Sequence, residues 1–167
     1  MKTLFTSFLL LFVVSSALGQ KTLDDILKLY NSKSIPYISV GELKRIQSRE
    51  DIYLLDTREA IEFETSHIPS AIFAGYSTFS SEEITAAIED KSARIVVYCS
   101  LGVRSEIIGE KLKKAGFTNV QNLYGGIIEW KNKDFIVVDA QGNETENVHT
   151  SSKTWSKWLK KGNKVYD

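Results

Sequence analysis

The chain is poor in the residues that staple small folds together. Cys99 is the only cysteine among 167 residues, so no internal disulfide can form. Two histidines, His67 and His149, together with that thiol make no recognisable metal-ligand spacing, and no metal or other cofactor is expected. Neither charge is in excess, since 21 Lys and Arg balance 21 Asp and Glu. Phosphate backbones are gripped by a basic footprint, so this balance argues against nucleic acid as a partner. No apolar run reaches the ~18–20 residues of a membrane-spanning helix. Internal repeats and low-complexity linkers are also missing.

The longest apolar run, Leu4 to Val14, sits in "MKTLFTSFLLLFVVSSALGQ" behind a single lysine. Ala17 and Gly19 hold the small-x-small positions of a secretory cleavage site, which predicts removal of residues 1–19 and a mature start at Gln20. No cysteine stands at the cleavage site, so no lipoprotein anchor is expected. The reading is an exported protein, periplasmic or secreted, with no membrane attachment after cleavage. Lys2 is the only charge lost, giving a mature net charge of 20 − 21 = −1. About 150 residues then remain, a size suited to one core.

A lone cysteine in an exported chain is a reactive site, a pairing point for another molecule, or an inert buried hydrophobe. Its neighbours bear on the choice. "RIVVYC" is a continuous β-branched run of the kind buried on both faces of a parallel sheet. "DIYLLD" and "NVQNL" read as further strands, with shorter ones at "YISV" and "AIFAG". Helical spacing marks "LDDILKLY", "GELKRIQ", "EAIEFETS", "SEEITAAIED" and residues 105–115, the last closed by Gly116. "GGIIEWK" predicts a glycine-hinged turn into one more short helix. Strands alternating with helices make an α/β fold with a mainly parallel sheet and helices on both faces. The predicted organisation is a helical segment over 20–35, the α/β domain over 36–132, and an extension over 133–167. That extension reads as a strand, a Gly-Asn turn and a short helix with Trp155 and Trp158; covering the sheet and flapping over the site are both open to it.

Ligands of an open parallel sheet bind beyond the carboxyl ends of its strands, where Cys99 stands. "SLGVR" then leads into a helix. Such a loop can turn successive N–H groups inward as an anion nest, and the helix adds its positive end. Gly102 permits a turn that a β-carbon would hinder, and Arg104 supplies a fixed positive charge. All of this favours thiolate over thiol, making Cys99 a nucleophile with a cradle for an anion.

The ordered set "ISVGELK", "LLDTRE", "HIPSA", "VVYCSLGVRS" and "GFTNVQNLYGGIIEW" resembles a single-domain rhodanese, a rhodanese-like sulfurtransferase, from about Tyr37 to Asn132. The resemblance implies a five-stranded parallel sheet and a persulfide on Cys99. It implies attack on the sulfane sulfur of an anion such as thiosulfate, followed by transfer to cyanide or a thiol. Ser100, Leu101, Gly102, Val103, Arg104 and Ser105 would bind the substrate, with Arg58 a further candidate beside a structural ion pair with Asp56. Ser66 and Ser70 stand where the family commonly has glycines.

Several residues carry plainer readings. His67 reads as structural, His149 as solvated in a polar tail, Trp130 as a core anchor, and "YGG" as the close turn into a helix. Two rival functions accompany sulfur transfer. A rhodanese-fold phosphatase would place five residues between Cys and Arg, whereas Cys99 and Arg104 enclose four. A non-enzymatic carrier would use the same thiol to deliver persulfide to a partner. Small sulfur anions are the expected ligands. Because no resolving cysteine is present, a thiol protein or thioredoxin-like reductant is expected to keep Cys99 reduced.

Overall fold

The computed structural model describes residues 22–49 and 51–166. The signal-peptide expectation falls on residues outside this set. Among the described residues no helix is long and apolar enough to cross a membrane.

Strand β4 (Arg94–Tyr98) is the axis of the molecule. Ile95, Val96, Val97 and Tyr98 are all fully buried, as their continuous apolar run predicts. It pairs in parallel with β2 (Ile52–Asp56) on one side and β5 (Val120–Leu123) on the other. The edge strands β1 (Tyr37–Ile38) and β3 (Ile72–Phe73) complete a five-stranded parallel sheet of order β1-β5-β4-β2-β3.

The strand period of two sends alternate residues to opposite faces, and two cores follow. Val96 and Tyr98 pack with Val40 and Leu43 of α2 (Val40–Ile46) and Ile127 and Trp130 of α6 (Gly126–Asn132). Ile95 and Val97 pack with Ile108 and Leu112 of α5 (Arg104–Lys114), flanked by Ile84 of α4 (Ser81–Ala87). Helices thus cover both faces, and every crossover brings a strand end to the same edge.

Two further helices flank this layer. The first, α1 (Leu23–Tyr30), is opened by a capping box between Thr22 and Asp25. The second, α3 (Ala60–Thr65), follows β2. The turn after α3 carries Ser70 at φ +68°, so this serine adopts a left-handed conformation that glycine reaches without strain. His67 exchanges two backbone hydrogen bonds with Val138 and stacks on Phe63, which is a structural role.

The extension is built of β6 (Val137–Val138), β7 (Glu144–Thr145), β8 (Asn147–His149), α7 (Lys153–Ser156) and β9 (Asn163–Val165). β6 and β7 form an antiparallel hairpin, whereas β8 and β9 run parallel around α7. Val137, Val148 and Leu159 are buried in the α2/α6 core. Asn132 bonds the Trp158 carbonyl and the Lys160 amide, and Lys131 pairs with Glu146 at 2.7 Å. His149 is not solvated: it is 2% exposed, because β8 packs against α3 and carries the side chain inward.

Candidate active site

Cys99 follows the last residue of β4, and the sheet grips its neighbours first. The amide and the hydroxyl of Thr57, one residue beyond β2, both donate to the Tyr98 carbonyl at 2.9 Å. On the far side the amino end of α6 spends its free N–H groups on the loop: Ile127 donates to the Cys99 carbonyl at 3.0 Å and Ile128 to that of Ser100 at 3.2 Å. The approach is close enough that a β-carbon on Gly126 would fall 2.2 Å from the Cys99 oxygen. "YGG" therefore serves both the turn and the site.

With those carbonyls held by α6, the loop turns N–H groups toward sulfur. Gly102, at φ +114°, donates its amide to Cys99 Sγ at 3.1 Å. Its carbonyl accepts from Asn31 and Asn122, each at 2.8 Å, which fixes the next peptide unit of the loop. The Ser105 hydroxyl lies 3.6 Å from Sγ and 2.8 Å from Asn122 Oδ1, so one proton serves two acceptors. Burial pushes the Cys99 thiol up. The charge of Arg104, the Ser105 hydroxyl and the amides of Ser105 and Gly102 outweigh burial and hold it below its ordinary value. The site thus favours the nucleophilic form.

Cys99 is only 2% exposed, yet it lines a cavity of about 120 Å³ with Ser100, Leu101, Val103, Arg104, Ser151 and Trp155. Five sequence-predicted residues, Cys99, Ser100, Leu101, Val103 and Arg104, thus share one cavity, while Gly102 and Ser105 act on the sulfur directly. Arg58 does not join them. It is fully buried, donates to Asp56 at 2.7 Å and to the Ser66 carbonyl at 2.6 Å, and is not among the residues that line the cavity. The structural ion pair with Asp56 is the one of its two expected roles seen here: β2 and α3 fold its guanidinium inward, where it pairs with a carboxylate that is itself sealed from water.

Arg104 is less free than its sequence position suggests. Glu62 of α3 accepts from it bidentately at 2.7 and 2.8 Å and also accepts from Ser100 Oγ at 3.2 Å. Burial raises the Glu62 carboxyl, but the hydrogen bonds and charge of Arg104, the Glu59 amide and Arg58 together hold it low, so it stays ionised. His149 places Nδ1 3.8 Å from the same carboxylate. Glu62, Asn122, His149, Ser151 and Trp155 were missed in the sequence, and among the described residues no group of three His, Cys, Asp or Glu is placed to hold a metal.

A family model described as the rhodanese-like domain matches residues 39–133, more than half the chain. The chain belongs to the rhodanese-like domain family. The YrkF protein of Bacillus subtilis, provisionally named a sulfur carrier, is 34% identical over 104 residues, covering 62% of this chain and 55% of that one. A tRNA uridine(34) hydroxylase of Hamiltonella defensa is 34% identical over 98 residues, covering 56% and 27%. The chain thus spans between about a quarter and just over half of these relatives. Among solved structures, the thiosulfate sulfurtransferase of Pseudomonas aeruginosa superposes with a TM-score of 0.59 at 24% identity, over 66% of this chain and 21% of that one, and shares the fold. Cys99 lies inside the matched span of this rhodanese-like chain. Both Ser151 and Trp155 of its cavity wall lie beyond residue 133, outside the span that defines the family.

Proposed function

We propose that this rhodanese moves sulfane sulfur from a small anionic donor such as thiosulfate to cyanide or a thiol, through a persulfide on Cys99. The observation that carries this reading is the sulfur atom itself: it receives the Gly102 amide at 3.1 Å, and its thiol is held low despite burial. The Cys99 thiolate attacks the outer sulfur of thiosulfate. The donor's S–S bond breaks, sulfite leaves with the electron pair, and the charge passes to the outer sulfur of the new persulfide. The amides of Gly102 and Ser105 face that charge before and after transfer, in the manner of an oxyanion hole. Cyanide or a thiolate then attacks the outer sulfur, and Cys99 departs as thiolate. Arg104, fixed by Glu62, offers the donor a cationic edge that stays in place.

The test is mass analysis of protein incubated separately with thiosulfate, polysulfide and mercaptopyruvate. The peptide containing Cys99 gains one sulfur with at least one of them, and Cys99→Ser gains none. Sulfur appearing elsewhere, or nowhere, defeats the reading. The YrkF relationship favours a second reading, a persulfide carrier. Slow turnover to thiocyanate combined with fast loading would select it.

We further propose that the chain is exported, on the strength of the apolar run and small-residue pattern before Gln20. Amino-terminal sequencing of the protein from its native host should begin at Gln20; an intact Met1 in a cytosolic fraction would remove the proposal.

A further inference from the structure

The extension reaches the reactive sulfur, which a mere cover for the sheet would not need to do. Trp155 and Ser151 form part of the wall of the cavity that Cys99 lines. The cavity they help line has a volume of about 120 Å³. Pockets that take drug-sized molecules are several times larger, about 300–1,000 Å³.

This wall is held in place rather than draped. The Trp155 and Tyr30 rings meet edge to face, with centroids 6.1 Å apart, so the two ends of the domain meet beside the site. The Trp155 amide donates to Ser152 Oγ at 3.3 Å, capping α7. Ser151 sits at φ +68°, a conformation that costs a non-glycine residue energy and persists only where its surroundings impose it. They do so here: the Thr150 amide bonds the Val165 carbonyl at 2.8 Å, and the Ser151 amide donates to buried His149 Nδ1 at 3.2 Å.

We infer that Trp155 and Ser151 are specificity-determining residues, which admit slim small-molecule sulfur compounds to Cys99 and shut out thiols carried on a folded protein surface. The inference rests on the persulfide reading and deepens it. An attacking nucleophile must come within about 3–3.5 Å of the outer sulfur. A cysteine on a folded surface brings its own backbone within one side-chain length, into space that Trp155 fills. Cyanide, sulfite or a short thiol meets no such conflict. By the same reasoning the reductant that maintains Cys99 is a small thiol, not a thioredoxin-like protein.

The experiment compares labelling of Cys99 by N-ethylmaleimide and by N-pyrenylmaleimide, each rate normalised to that of a free small thiol. The bulky reagent should lag by roughly tenfold to hundredfold in the native protein. Trp155→Ala should close most of that gap, and Trp155→Phe, which retains a ring, part of it. Equal normalised rates in the native protein would overturn the inference, as would a gap that both variants leave intact. If Trp155→Ala does not fold, the native ratio and Trp155→Phe decide alone. A second arm loads persulfide from thiosulfate and offers cyanide or a reduced thioredoxin-like protein: cyanide is served faster by the native protein, and Trp155→Phe narrows the difference. Failure to load from thiosulfate, polysulfide and mercaptopyruvate alike would sink the persulfide reading, while the maleimide ratio would still judge the wall.

Discussion

Replacing Ser105 with alanine separates ionisation of the thiol from access to it. The Ser105 hydroxyl sits 3.6 Å from Sγ and shares its proton with Asn122 Oδ1 at 2.8 Å. A hydrogen bond to a charged group is worth ~1.5–3 kcal/mol, and a long, shared one about 1 kcal/mol. Losing about 1 kcal/mol makes the thiolate roughly fivefold scarcer at pH values below the thiol's midpoint. The remaining thiolate is more basic and, with a Brønsted slope of ~0.4–0.5, about twofold more reactive. Alkylation by iodoacetamide should therefore be about two- to threefold slower than native at pH values well below the thiol's midpoint and about twofold faster well above it. The two pH–rate curves should cross. A variant slower by one constant factor at every pH would indicate a changed entrance, and superimposed curves would show that the hydroxyl does not act on sulfur; either result refutes the reasoning.

Other consequences are open to direct measurement. Arg58→Met should cost about 3–5 kcal/mol in urea unfolding, because it strands the buried carboxylate of Asp56. Adding Asp56→Asn should restore much of that loss, and strict additivity of the two would contradict the pairing. Gly126→Ala should abolish sulfur loading while the secondary structure seen by circular dichroism survives, since its β-carbon would meet the Cys99 oxygen at 2.2 Å; native-like loading would show that the contact is not needed. The folded thiol ionises more readily than the unfolded one. Its ionisation therefore adds stability that is complete above the unfolded value near ~8.5 and is lost as pH falls through the folded midpoint. The stability difference between native protein and Cys99→Ser should grow with pH across that window. A flat difference would argue against a depressed thiol.

What could be read in advance was whatever depends on short stretches of chain. The run "RIVVYC" announced a doubly buried strand because its side chains need apolar partners on both faces, and the structure buries Ile95 through Tyr98 completely. The four-residue spacing from Cys99 to Arg104 is likewise local, and the loop closes on the sulfur accordingly. What escaped depends on how distant stretches meet. Glu62 is one of three glutamates in "EAIEFETS", and nothing in that octet says which of them turns toward Arg104. Asn122 gave a weak signal, a carboxamide at the same sheet edge as the thiol. His149 and Trp155 lie in a polar tail whose inward path is set by β8–β9 pairing and the packing of Val148, neither of which has a sequence period to betray it.

The brace behind Gly102 has a consequence for how the molecule is divided. Asn31 anchors the loop from α1 and Trp155 walls it from α7, and both lie outside the stretch by which relatives are recognised. Trimming the gene to residues 39–133 would keep four of the sheet's five strands, losing β1, and would remove a strut from one end of the loop and a side of the chamber from the other. The unit that heredity makes recognisable is smaller than the unit that chemistry requires.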